Sequence, residues 1–181
     1  NGNLYANSYS KDGVYLFKNN HWSSINRTTD IQLDTGNVYD FVCVAIDPSN
    51  PDHAFLGSWG VGLYEMDENG YVGRYNQLNS SLSPLATAPD VMRIGGLSYD
   101  TDNNLWVCNS GVSTTLSVKT PAGSWHAFPI SSVDERPTQL ICDRYGNKWI
   151  LTSWDVGVDV YNENRTFTNY ADDRTRSFTH T

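Results

Sequence analysis

Asp100-Thr-Asp-Asn-Asn-Leu-Trp-Val-Cys-Asn-Ser110 and Asp143-Arg-Tyr-Gly-Asn-Lys-Trp-Ile-Leu-Thr-Ser153 are two copies of one phrase. Each opens on an Asp, passes through a turn rich in Asn, Asp or Gly, enters a short apolar run through Trp, and ends on small polar residues. Gly2-Asn-Leu-Tyr-Ala-Asn-Ser8 lines up with them, and His53-Ala-Phe-Leu-Gly-Ser58 is a fourth copy after a longer turn. Self-similarity at such a period decides the fold before any single segment does, because each repeat is one supersecondary unit that buries its faces only against its neighbours.

The phrase sits inside a longer grammar. An apolar run ending in Asp precedes it in three units: Phe41-Val-Cys-Val-Ala-Ile-Asp47, Ile94-Gly-Gly-Leu-Ser-Tyr-Asp100 and Thr138-Gln-Leu-Ile-Cys-Asp143. A third run follows a Gly-containing loop, at Gly13-Val-Tyr-Leu-Phe17, Gly62-Leu-Tyr-Glu-Met66, Leu116-Ser-Val118 and Val158-Asp-Val-Tyr161. Short fourth runs end in an aromatic, at Trp22, at Tyr75, over Trp125 to Phe128 and over Phe167 to Tyr170. Four short β-rich strands per unit, punctuated by turn residues and free of helical spacing, predict an all-β chain of about four β-propeller blades of four antiparallel strands. A β-sandwich does not require the same loop chemistry at the same offset in every unit. The expected units are 1–36, 37–90, 91–137 and 138–171, with 172–181 read as a polar tail or the start of a next blade. Four blades closed by a C-terminal strand and a piece of a larger ring are both open, and the polarity of the tail favours the larger ring.

These blades resemble the two-component regulator propeller repeats of Bacteroidetes, through Asp100 with Asn104-Leu-Trp106, Asp143 with Gly146-Asn-Lys-Trp149, and Asp47 with Gly57-Ser58 and Gly62-Leu63. Within that superfamily, Asp47-Pro-Ser-Asn-Pro-Asp-His53, Gly57-Ser-Trp-Gly-Val-Gly-Leu63 and Asn79-Ser-Ser-Leu82 are most similar to the surface propellers of the type IX (Por) secretion system. The resemblance implies a periplasmic or cell-surface module without a catalytic motif, secretion-associated, that holds a partner protein or a cell-surface polysaccharide. The same repeats also form the glycan-sensing periplasmic domain of hybrid two-component regulators.

Composition narrows the partners. Across 181 residues, 13% are aromatic and 18% charged, a balance that favours packed strands over disorder. The net charge of -8, with no cluster of Lys and Arg, opposes binding to nucleic acid. No apolar run is long enough to span a membrane, and the first residues lack the pattern of a signal peptide. Cys43, Cys108 and Cys142 lie inside apolar runs rather than at metal-ligand spacing, which reads as buried free thiols, with one disulfide left open.

Loop positions carry the functional expectation. In a blade, the loop after the second strand and the link to the next blade share one rim. Tyr9, Ser58, Trp59, Asn109, Ser153, Trp154 and Asp155 are therefore the candidate ligand-binding residues, beside the long link from Gln77 to Asp90. Trp59 and Trp154 are read as equivalent, each either folding back to cap its own blade or offering a flat apolar face and one N–H donor to a sugar ring, a lipid-linked glycan or a partner loop. Trp22, Trp106, Trp125 and Trp149 are read as core. Asp100-Thr-Asp-Asn-Asn104 starts like a calcium loop, but Leu105 and Gly111 stand where the turn glycine and the closing Glu belong, so it reads as a hairpin turn. The four histidines lack zinc spacing, and no nucleophile elbow or Walker loop is present. No catalytic residue, metal or cofactor is assigned, and a propeller lyase or hydrolase is the remaining alternative. The sequons at Asn26, Asn79 and Asn164 read as chance in an Asn-rich chain.

Overall fold

The computed structural model describes residues 4–7, 13–26, 28–30, 33, 40–130, 136–153 and 157–178. Within them the chain is all strand and turn, arranged as four antiparallel meanders. The first sheet holds β1 (Leu4–Asn7), β2 (Val14–Lys18) and β3 (His21–Ile25). The second runs β4 (Phe41–Asp47), β5 (Asn50–Ser58), β6 (Leu63–Asp67) and β7 (Gly70–Tyr75). The third runs β8 (Arg93–Tyr99), β9 (Leu105–Ser110), β10 (Leu116–Lys119) and β11 (Trp125–Phe128). The fourth runs β12 (Pro137–Cys142), β13 (Lys148–Thr152), β14 (Val158–Asn162) and β15 (Arg174–Phe178).

The sheets stack face to face, and the alternation of each second strand says how. Tyr5, Val14 and Leu16 of the first sheet pack on Ala54, Leu56, Tyr64 and Met66 of the second. Phe55 and Leu63, on the second sheet's other face, pack on Leu97, Leu105 and Val107 of the third. Trp106, Cys108, Leu116 and Phe128 then pack on Leu140, Ile150 and Tyr161 of the fourth. Successive side chains of a strand point to opposite faces, so one strand supplies both seams of its blade. Burying these faces supplies the main driving force for stacking.

The first strands β4, β8 and β12 come together at the inner ends of their sheets and line a shared recess of about 350 Å³. Gly95 permits this closeness: a Cβ there would lie 1.9 Å from the carbonyl oxygen of Pro137 on the neighbouring strand.

Two expectations are corrected by the register. The fourth strand of the last sheet is Arg174–Phe178, in the segment expected to be a tail or the start of another blade, and it pairs along β14 from Val158↔Phe178 to Asn162↔Arg174. Phe167 to Tyr170, expected to be that strand, lies in turns and bends; Phe167 instead plugs inward against Trp106 and Phe128. An exposed outer strand needs no apolar pattern, which is why its polar sequence concealed it. Trp106 is fully buried and Trp125 partly so, but Trp22 is 50% exposed and Trp149 40% exposed, so these two are not core residues. They lie on the outward faces of the first and fourth sheets, which no described sheet covers.

The three cysteines are free thiols inside the seams. Burial pushes Cys43 and Cys142 up to about 12 and Cys108 well above its ordinary value, so all three stay protonated and poorly nucleophilic at neutral pH.

Candidate functional site

A repeated Asp organises the first turn of the second, third and fourth blades. Asp100 Oδ1 accepts from the backbone N–H groups of Asp102 and Asn104, and Asp100 Oδ2 accepts from Asn104 Nδ2 and from Trp106 Nε1 at 2.8 Å. Asp143 repeats this with Tyr145, Asn147 and Trp149, whose Nε1 donates at 3.0 Å. Burial pushes the Asp143 carboxyl up, but the bonds from Trp149, Asn147 and the backbone outweigh it and hold it down at about 2. The acidic turn of Asp100 is thus an Asx turn whose oxygens are occupied by its own strand.

The second blade varies the device. Register places Ala54 opposite Ile46 as Leu105 lies opposite Tyr99, so His53 stands where Asn104 and Asn147 stand, and Phe55 where the tryptophans stand. His53 Nδ1 lies 3.0 Å from Asp47 Oδ2, and its Nε2 lies 2.7 Å from Glu65 Oε1, while Tyr75 Oη donates to Glu65 Oε2 at 2.6 Å. With both ring nitrogens engaged by carboxylates, His53 has no free nitrogen with which to take a proton from a substrate.

The opposite rim holds the residues expected from sequence to meet a ligand. The loop after β5 meets the link from β7 to β8: Met92 N–H donates to Gly60 O at 2.8 Å and Gly62 N–H to Met92 O at 3.1 Å. Between them opens a cleft of about 620 Å³, whose walls include Val61, Arg74, Leu78, Pro84, Pro89 and Met92. A turn holds its lip rigid. Leu78 N–H donates to Asn76 Oδ1, Asn76 N–H to Asn79 Oδ1, Asn79 Nδ2 to Arg74 O and Ser80 Oγ to Asn76 O. The result is that Leu78 stands 87% exposed at the mouth.

The sequence-selected residues fall into three groups. Trp59 is half-buried at this rim, its N–H donating to Asp40 O at 3.0 Å, and the guanidinium of Arg93 lies over its ring at 5.4 Å. Ser58 and Asn109 are buried, and their polar atoms are engaged: Ser58 Oγ accepts from Gly60 and Val61, while Asn109 accepts from Ser83 N–H and donates to Arg93 O. They build the rim instead of facing outward. Ser153, partly exposed, donates its N–H to Arg136 O at 3.1 Å, the bond that Trp59 makes to Asp40. Ser153 is therefore the counterpart of Trp59, and Trp154 lies one position further along, which corrects the expected equivalence. Tyr9, Trp154 and Asp155 lie outside the described residues. Arg93 and Arg74 were not singled out from sequence, whereas Leu78 falls in the link from Gln77 to Asp90 that was placed on this rim; an Arg opening a first strand beside a Trp loop was the available signal.

No protein-family model matches the chain, and no curated protein matches it. Among solved structures it is similar to PorZ of Porphyromonas gingivalis, described as an essential bacterial surface component of the type-IX secretion system. That match has a TM-score of 0.83 and 24% identity, and it covers 97% of this chain but 26% of PorZ. The chain is a run of β-propeller blades. The extracellular domain of the putative hybrid two component system BT4673 from B. thetaiotaomicron shares the fold at a TM-score of 0.69 and 16% identity, over 99% of this chain and 21% of that one. A streptogramin B lyase shares it at a TM-score of 0.67 and 8% identity, over 98% and 51%.

Proposed function

We propose that these blades form a non-catalytic binding module that works outside the cytoplasm, at the periplasm or cell surface, in association with a type IX secretion apparatus. The observation that carries this reading is the likeness to PorZ over 97% of the chain, joined to a preformed rim cleft beside Trp59. The rim holds a partner protein or a cell-surface polysaccharide. The open faces also support membership of a larger ring: Ile141, Trp149, Leu151 and Phe178 on one end sheet, and Leu4, Tyr15 and Trp22 on the other, repeat the apolar chemistry of the covered seams.

The test is capture of the chain by immobilised cell-surface polysaccharide and by outer-surface proteins of its source cells. Trp59→Ala weakens capture by about 1–2 kcal/mol while leaving the far-ultraviolet circular dichroism unchanged. Capture that is unaltered by the substitution counts against the rim.

The likeness to an extracellular two-component domain supports a second reading, in which the same rim binds an oligosaccharide and signals across the membrane. A membrane span followed by a kinase in the same gene distinguishes it. A lyase reading needs a histidine placed to move a proton; both ring nitrogens of His53 are already held by Asp47 and Glu65, and His21 and His126 are the other described histidines to test by substitution.

A further inference from the structure

Among the described residues Arg93 has no carboxylate partner, although the protein is acidic. Its backbone is fixed: it opens β8 opposite Ser110, and its carbonyl accepts from the buried Asn109 amide, which also holds the link through Ser83. Its guanidinium lies over the Trp59 ring, and its Nε is buried without a hydrogen-bond partner. A planar guanidinium stacked on an aromatic face is oriented for two parallel hydrogen bonds to a carboxylate.

We propose that Arg93, positioned by Trp59, receives the carboxylate of an acidic peptide segment whose apolar side chains enter the neighbouring cleft. The inference rests on the rim reading above and gives it a ligand class. It also changes the role of Trp59, whose ring serves as the platform for Arg93 and not as the plane for a sugar. The surroundings favour peptide over glycan. The cleft wall sets Val61, Pro84, Pro89 and Met92 beside Asn76, Gln77 and Asp90, with no aromatic ring among its lining residues. Leu78, held out at the mouth by its locked turn, offers a partner an apolar contact of the kind that peptide side chains use. Arg74 and Asp90, both in the wall, bring one charge of each sign to the same opening, so Arg93 is the cation that sets the preference.

The experiment is a nuclear magnetic resonance titration of the chain, reading the Arg93 Nε–H and the Gly60 and Val61 amides. The probes are the peptide acetyl-Leu-Glu-Val-Leu-amide, its Gln counterpart, trigalacturonate and sodium acetate. The Glu peptide is expected to saturate these resonances at about tenfold lower concentration than the Gln peptide. Arg93→Gln removes that preference and Arg93→Lys retains part of it, with thermal melting confirming that each variant is folded. Equal response to the two peptides, or a preference that survives Arg93→Gln in the folded variant, overturns the proposal. Trigalacturonate binding more tightly than the Glu peptide overturns the peptide class while leaving the rim as the binding surface. Acetate acting as well as the peptide shows an adventitious ion only, and silence at the rim with every probe refutes both the inference and the reading on which it rests.

Discussion

The third and fourth blades share a motif and differ in what covers it. Trp106 and Trp149 occupy the same register, and each donates its indole N–H to the Asp that opens its turn. Trp106 is fully buried against Leu140, Ile150 and Tyr161, whereas Trp149 is 40% exposed on an uncovered face. The hydrogen bond therefore belongs to the blade, and the burial belongs to the neighbour. One sequence phrase encodes a self-contained turn plus an aromatic offered to whatever packs next. This is the economy of a repeat architecture, in which intrinsic blade stability and seam energy are separate contributions.

The comparison makes graded predictions. Trp106→Ala loses both hydrogen bond and seam packing and lowers unfolding free energy by about 3–5 kcal/mol in chemical denaturation. A loss no larger than that at Trp149 breaks the distinction between turn and seam.

The same seam holds Lys148, fully buried, which bonds Glu163 and Gly146 O and lies 3.9 Å from the Trp106 ring centroid. Lys148→Met leaves Glu163 buried and unpaired, at a cost of about 3 kcal/mol, and adding Glu163→Leu recovers most of it. If the single substitution is neutral, the ion pair is not what compensates the buried charges.

Trp149→Ala removes the turn bond and a partly exposed ring, and its cost is about 1 kcal/mol by the same measurement. A larger cost shows that the fourth sheet is tied through Trp149 to more than its own turn.

The smallest effect is a pH dependence. The folded Asp143 carboxyl lies near 2, below the unfolded value of about 4, so its turn adds stability that is fully present above about pH 4 and is lost as pH falls toward 2. Asp143→Asn flattens the stability profile across that window relative to the parent chain. An unchanged acid limb sharpens the comparison by assigning the turn's strength to the backbone bonds.

Much of this was legible in the residues. The Asp, the Asn-rich turn and the Trp are all present in the third and fourth copies, so the blade and its first two strands could be read directly. The rest was hidden for physical reasons. Arg174–Phe178 is an outer strand exposed on both sides, and no burial pattern marks it. His53 opens a copy that was legible in sequence, but its bonds to both Asp47 and Glu65 were not, because Glu65 comes from the next strand. The Trp59 loop and the Trp154 loop look alike as text, yet the strand ladders set Trp59 against Ser153. Arg93 gave little warning, since an unpaired charge becomes visible only when its surroundings are known.

In the proposed reading the rim formed by Gly60, Val61 and the link to Met92 is the recognition surface, and the Asp turns are structural. Hydrogen exchange of the chain, alone and with the cell-surface protein and polysaccharide fractions that capture it, tests this most directly. The account predicts slowed exchange at Gly60, Val61 and residues 76–92, with the turns at 47–53, 100–104 and 143–147 unchanged. Protection at those turns with an unaltered rim would contradict it.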